Sequence, residues 1–277
     1  MSARVLVLGT AQDGGVPHAG CSCSTCLAAH QDDTRRRRVA SIAVVGETGR
    51  VLVVDATPDL RSQLHRLALA TGRDQLAPDA LLITHAHVGH YLGLAFLGRE
   101  AMNVDGTPLW ATASMADFLR SNRPWSWLVE RGQVELQLLE PGTACSFDGV
   151  RFTPFLSPHR GEDTDTVGLE IEGPTRRLLY LPDADTFPAD LVQRIAGADV
   201  ALVDGTFHDP SELPGRDLGE IPHPFVAESV SALSGACGEV WFTHLNHSNA
   251  LIRPDADERP ELPEGFGVLE DGAAFAL

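Results

Sequence analysis

Three histidines, His85, His87 and His90, close the segment ALLITHAHVGH that begins at Ala80. Side chains two apart on an extended strand end point to the same side, so His85 and His87 can reach one cation. His90, three residues on, can turn toward a neighbouring point. Neutral imidazole is the commonest protein ligand for zinc and also suits iron or manganese. More donors follow later apolar runs: His159 in FLSPHRG, Asp183 in LLYLPDAD, and His244 and His247 in VWFTHLNH. Strand ends gather at one edge of a sheet, so donors far apart in the chain can converge there. A cation held on such donors lowers the pKa of water to about 7, making hydroxide available at neutral pH, and polarises a carbonyl or phosphoryl oxygen.

A second group is of a different kind. Cys21, Cys23 and Cys26 form C-x-C-x-x-C within a cysteine-rich loop spanning residues 18–30. Three thiolates so spaced can take three corners of a tetrahedron, and their crowding suits one structural zinc better than disulfides. The fourth corner needs another donor, and His18 and His30 are the nearest in sequence. A closed site of this type contributes its binding energy to folding.

The elements that must carry these residues are legible as short β-branched runs. Strands are expected at Arg4–Leu8, Ser41–Val45, Val51–Asp55, Ala80–Thr84, Val134–Leu139, Val150–Phe155, Val167–Ile171, Arg177–Leu181, Val200–Asp204 and Glu239–Thr243. Helices are expected at Pro58–Ala70, Tyr91–Met102, Ser114–Asn122, Pro188–Ala196 and Pro224–Leu233, several of them opened by proline. Strands alternating with helices imply an α/β class with two sheets and helices packed outside. No linker or repeat interrupts the chain, so residues 1–277 are expected to form a single domain, with 207–223 as a loop over the active site.

Bulk properties narrow the function. The 277 residues include 43% hydrophobic and 21% charged residues, the balance of a packed globular protein. A net charge of −17 disfavours capture of nucleic acid or anionic membrane and leaves a small-molecule substrate as the expected partner. The basic run Arg35 to Arg38 is expected to be a solvated loop or strand end. The N-terminus reads as a first strand, not a secretory signal, and no apolar stretch reaches membrane-spanning length, so a cytoplasmic location is expected.

The segment THAHVGH resembles the metallo-β-lactamase superfamily motif His-x-His-x-Asp-His, which is followed by a separate histidine, an aspartate and a final histidine. The N-terminal VLGTAQDGGVPHAGCSCSTC and the closing THLNHSN resemble two of its branches, one in pyrroloquinoline-quinone biosynthesis and one of phosphodiesterases in the carbon–phosphorus lyase pathway. The resemblance spans nearly the whole chain. It implies an αββα sandwich, two mixed β-sheets flanked by helices, with the active site at their edge. It assigns His85, His87 and His159 to a first metal position, His90 and His244 to a second, and Asp183 as the bridging carboxylate. The phosphodiesterase branch makes His247 the fourth ligand of the cysteine site.

One position departs from the motif: Gly89 stands where the superfamily places an aspartate that binds the second metal and orients water. A second position built from His90, His244 and Asp183 alone should be weak, leaving one or two ions of zinc, manganese or iron in the active site. Asp183 then serves as the base, with His244 beside it. Asp185 is a weaker candidate for filling the gap and reads better as a helix cap. His208 and His223 are candidate substrate contacts. The expected function is a metal-dependent hydrolase using hydroxide on a small phosphodiester, ester or lactone. Because the biosynthesis branch departs from the histidine pair that this chain keeps, its metal chemistry is expected to lie nearer the hydrolases. Two alternatives differ in class: an iron-dependent oxygenase of cofactor biosynthesis, and a non-catalytic binding protein stabilised by zinc. The fold type also allows a homodimer paired through exposed loops.

Overall fold

The computed structural model describes residues 2–212, 215 and 222–277. Much of the expected 207–223 loop, at 213–214 and 216–221, thus lies outside the described residues.

Fourteen strands among the described residues build two mixed sheets of seven. The first sheet takes β1 (Arg4–Gly9), β2 (Ser41–Val45), β3 (Val51–Val54), β4 (Ala80–Leu82), β5 (Thr107–Ala111) and β6 (Val134–Leu138), with β14 (Ala274–Ala276) on the outer side of β1. The second takes β7 (Cys145–Phe147), β8 (Val150–Leu156), β9 (Val167–Glu172), β10 (Arg177–Leu181), β11 (Val200–Asp204), β12 (Glu239–Thr243) and β13 (Phe266–Val268) in sequence order. Each begins with an antiparallel meander and continues with parallel strands, β3 to β6 in one and β10 to β13 in the other.

Alternation along the strands separates three apolar layers. Val5, Val7, Ile42, Val44, Leu52, Val54 and Leu82 face Phe152, Ile171, Tyr180 and Leu202 between the sheets. The opposite face of the first sheet packs on α2 (Leu60–Thr71), α4 (Ala113–Ser121) and α5 (Trp125–Glu130). That of the second packs on α6 (Ala189–Ala196) and α7 (Val226–Leu233), with α1 (Ser24–Gln31) reaching this layer through Ala29. The αββα order is the layering expected from the sequence.

Three local departures have physical causes. The helix expected over Tyr91–Met102 is instead a short α3 (Val88–Tyr91) followed by 3₁₀ turns over Leu92–Leu97. Gly93 donates its N–H to Ala56 O at 2.8 Å, and a Cβ there would meet Thr57 O at 2.1 Å, so the chain is held tightly against the β3 exit. Gly93→Ala should therefore cost about 1–3 kcal/mol, read as a lower urea midpoint; an unchanged midpoint would show that the segment can shift away. Strand β5 contains Pro108, a residue that argues against an interior strand. The Arg35–Arg38 run is not freely solvated. Arg37 donates to Leu269 O at 2.6 Å and to Thr10 Oγ1 at 3.0 Å, while Arg38 reaches the buried Asp271 at 3.3 Å.

Among the described residues no helix is long and apolar enough to cross a membrane.

Candidate metal centre

The C-terminal ends of the parallel strands meet at one rim, and the donors converge there. β4 delivers His85 and His87, and α3 carries His90. The turn after β8 supplies His159, that after β10 supplies Asp183, and His244 follows β12. His244 adopts a left-handed backbone at φ 58°, as does Asp55 after β3 at φ 68°. Each such turn costs a non-glycine residue roughly 1 kcal/mol, which packing at the rim must offset.

Two facing groups result. His85 Nε2 lies 2.9 Å from His87 Nδ1, and His159 Nε2 lies 3.2 Å from the same atom. Asp183 Oδ1 is 3.6 Å from His159 Nε2 and 3.5 Å from His244 Nε2, while its Oδ2 is 3.2 Å from His90 Nε2. Asp183 thus stands between the groups, as a bridging carboxylate would. Asp13, on the loop after β1, completes the second group, with Oδ1 3.7 Å from His90 Nε2 and 3.9 Å from His244 Nε2.

Outer partners fix the imidazoles in this orientation. His90 Nδ1 donates to Asp55 Oδ2 at 2.8 Å and His159 Nδ1 to Asp185 Oδ1 at 2.7 Å. His85 Nδ1 is 3.0 Å from Thr84 Oγ1, whose hydroxyl donates to Asp55, and His244 Nδ1 is 2.9 Å from Thr206 Oγ1, whose hydroxyl donates to Asp204. A proton fixed on Nδ1 leaves Nε2 with a lone pair aimed inward, the arrangement by which outer groups orient metal-ligating histidine. His87 is reversed: its Nδ1 faces the group and its Nε2 lies 3.6 Å from Glu162.

The inward atoms do not satisfy one another. Asp13 Oδ1, His90 Nε2, Asp183 Oδ2 and His244 Nε2 are buried without a hydrogen-bond partner. Four orphaned donor-type atoms facing one point are costly unless a cation collects them, so the residues fit a metal.

Electrostatics agree. Burial, and then the charge of His90, holds His85 well below the ordinary histidine range. Burial would also lower His90, but Asp55 and Asp183 outweigh it and raise this imidazole well above that range, so a cation binding its Nε2 would displace a proton. Burial opposes the charge on Asp183, yet His244 and His90 keep it well below the usual carboxylate range, so it is ionised.

His223 flanks both groups, its ring centroid 5.5 Å from His159 and 5.8 Å from His244. Its Nδ1 donates to Asp204 Oδ2 at 2.6 Å. Burial pulls its pKa down, but Asp204 more than compensates and pushes it up to about 9. Asp204 and His223 could themselves join Asp183 and His244 around a cation. Their short mutual hydrogen bond instead makes them an outer pair.

The cysteine site is closed. Cys21, Cys23, Cys26 and His247 present donor atoms within 4.8 Å of one another, and His247 Nδ1 is 3.5 Å from both Cys21 Sγ and Cys23 Sγ. Tetrahedral zinc with Zn–S near 2.3 Å and Zn–N near 2.0 Å would separate sulfur from nitrogen by about 3.5 Å. His18 lies tilted against His247 with ring centroids 4.6 Å apart and donates its backbone N–H to Cys26 Sγ at 3.2 Å, so it supports the site from outside. His30 is absent from the group. Burial pushes the Cys26 thiol up to about 12, so a cation among the sulfurs is what would hold it as thiolate.

A family model described as the β-lactamase superfamily domain matches residues 50–245. The chain belongs to the β-lactamase superfamily. Coenzyme PQQ synthesis protein B of Methylobacterium radiotolerans is 32% identical over 307 residues, covering 99% of this chain and 100% of that relative. Its counterpart in Ruegeria pomeroyi is 28% identical, with 99% and 100% covered. Among solved structures, the zinc-bound PqqB of Methylobacterium extorquens superposes with a TM-score of 0.84 at 27% identity, over 99% of this chain and 100% of that one. A diphosphatase of the PhnP family superposes with a TM-score of 0.73 at 26% identity, over 100% and 98%.

Within this β-lactamase superfamily chain, the structure gathers all six active-centre residues named from the sequence, together with His223. His208 is elsewhere: its ring faces Asp209 at 3.2 Å and its amide donates to Glu212, outside both histidine groups. Asp185 neither fills the gap at residue 89 nor caps α6, which begins at Ala189 after Pro188; it anchors His159. Asp13, Asp55 and Asp204 were not among the sequence candidates. A signal for two of them exists: Val54-Asp55-Ala56-Thr57 ends β3 and Val203-Asp204-Gly205-Thr206 ends β11, the same Val-Asp-small-Thr pattern at the end of a parallel strand in each sheet.

Proposed function

We propose that this chain is a metal-dependent hydrolase of small phosphodiesters. The observation that carries the reading is the set of inward-facing Nε2 and carboxylate atoms, two groups sharing Asp183, each imidazole fixed from behind. His85, His87 and His159 would hold one ion and His90 and His244 a second, with Asp183 between them. A cation there supplies Lewis acidity, lowering the pKa of water toward about 7 and drawing charge from a phosphoryl oxygen.

The chain's own groups do the rest. Ionised Asp183 accepts a hydrogen bond from the attacking water and orients it. As the water oxygen bonds to phosphorus, its proton passes to Asp183 and the bond from phosphorus to the leaving alkoxide breaks. His223, whose pKa Asp204 raises, flanks both groups, where it would stabilise the added negative charge and give its proton to the leaving oxygen. The similarity to a PhnP-family diphosphatase supports a phosphorus-centred substrate over an ester or lactone. A small-molecule partner and a cytoplasmic location fit this activity.

The test is turnover of a bis-aryl phosphodiester beside an aryl ester, with zinc, manganese or iron restored in turn. The phosphodiester should be hydrolysed faster, and His223→Ala should lower kcat by about 10²–10⁴-fold. Silence on both substrates at full metal occupancy would overturn hydrolysis.

A second reading has one specific support, the similarity over nearly the full length to coenzyme PQQ synthesis protein B. It is an iron-dependent oxygenase of cofactor biosynthesis, since iron accepts the same histidine and carboxylate donors. Oxygen uptake that requires ferrous iron would favour it, and a protein that retains only zinc would count against it.

A further inference from the structure

Gly89 is the one position of the histidine segment that departs from the superfamily motif, and the space a side chain would fill there is taken. A Cβ built on Gly89 would lie 2.0 Å from Asp13 Oδ1 and 2.9 Å from both Cα and Cγ of Asp13. The carboxylate of a residue from another element therefore sits where a side chain at 89 would begin.

We propose that Asp13 is the carboxylate ligand of the metal position formed with His90 and His244, replacing from the β1 loop the aspartate that the motif places at residue 89. The inference rests on the two-position metal reading above and adds a donor that the reading lacked. Asp13 Oδ1 is buried and without a hydrogen-bond partner, whereas Oδ2 accepts from Gln12 Nε2 at 3.1 Å. Its separations of 3.7 and 3.9 Å from the Nε2 atoms of His90 and His244 are too long for hydrogen bonds. They suit donors that share one ion, because ligands bound at about 2.1 Å stand roughly 3–4 Å apart.

The loop is built to keep this atom in place. Gln12 donates its N–H to Leu245 O at 3.0 Å, Leu245 returns one to Thr10 O at 2.9 Å, and Gly15 closes a turn onto Gln12 O at 2.8 Å. Asp13 is thus fastened to the residue that follows His244. The relocated donor is tied to its partner histidine's neighbour by backbone hydrogen bonds, and Gly89 leaves the space that the carboxylate occupies. With Asp13 joining His90, His244 and Asp183, the second position would not be the weak one expected from Gly89 alone.

The test uses the full chain, with bound metal counted by mass spectrometry and zinc affinity measured by calorimetry after mild chelation that spares the cysteine site. Asp13→Ala should hold one ion fewer per chain than wild type, or bind it at least about 100-fold more weakly, while its circular dichroism is unchanged. Asp13→Gly combined with Gly89→Asp should regain the ion, because the carboxylate returns to the motif's position. Gly89→Asp alone should not gain affinity, because Asp13 occupies its space. Retention of every ion at wild-type affinity in Asp13→Ala would overturn the assignment of Asp13 and leave the hydrolase reading standing. A wild-type chain that binds nothing beyond the cysteine site would overturn both.

Discussion

Replacing Cys23 with serine is expected to release one zinc per chain and to lower the thermal midpoint by about 10 °C. A hydroxyl is a poor zinc ligand beside thiolate, and losing one of four corners weakens a closed site by about a thousandfold. At fixed free zinc that is about 4 kcal/mol of stability, and a chain of this size shifts by roughly 2–4 °C per kcal/mol. The effect should be global because of what the site joins. Cys21 to Cys26 lie between β1 and β2, whereas His247 follows β12 in the other sheet. Ala11 bridges to Val39 on one side and to Leu245 on the other, so this loop is a seam between the sheets at the rim. Asp13 and His244 flank the seam, and the same substitution should therefore weaken metal binding at the active centre as well. Calorimetry with metal counting checks both effects; an unchanged midpoint with Cys21 and Cys26 still reduced would show that no structural ion is held there.

The sequence made the frame and half of the centre legible for one physical reason. Strands buried on both faces read as continuous β-branched runs, and a histidine directly after such a run stands out. β2, β10, β11 and β12 match their expected bounds to the residue. The strands that escaped notice are β5, with its interior proline, and β7, β13 and β14, each three residues long and too short to show a period. Asp13 escaped because Gln12-Asp13-Gly14-Gly15 reads as a turn, and only the third dimension brings it to Gly89. Asp55 and Asp204 escaped because an aspartate after a strand ordinarily starts a turn. Their task, holding His90 and His223, depends on contacts with residues 35 and 19 positions away. Ligand identity lives in local sequence, whereas ligand orientation lives in pairs that no local pattern marks.

That division gives the largest expected effect on chemistry. Asp183→Asn should reduce turnover of the phosphodiester by about 10³–10⁴-fold, equivalent to roughly 4–5.5 kcal/mol of transition-state stabilisation, and should deplete metal from both positions while the cysteine-site ion stays. Asp183 is the one residue with an oxygen toward each group, at 3.6 Å from His159 Nε2 and 3.2 Å from His90 Nε2. An amide is neutral and offers a single acceptor, so it can neither serve both positions nor take a proton from water. Asp55→Asn leaves every ligand in place and alters only their support, directly behind His90 and through Thr84 behind His85, so it should cost about 10–100-fold in affinity, chiefly at the position of His90. The ordering is the discriminating result. If Asp55→Asn depleted metal as severely as Asp183→Asn, the cluster would be responding to general loosening of the rim, and the role of Asp183 as the shared ligand would fail. If Asp183→Asn instead kept its metal and its rate, catalysis would have to be sought away from the point where these imidazoles meet.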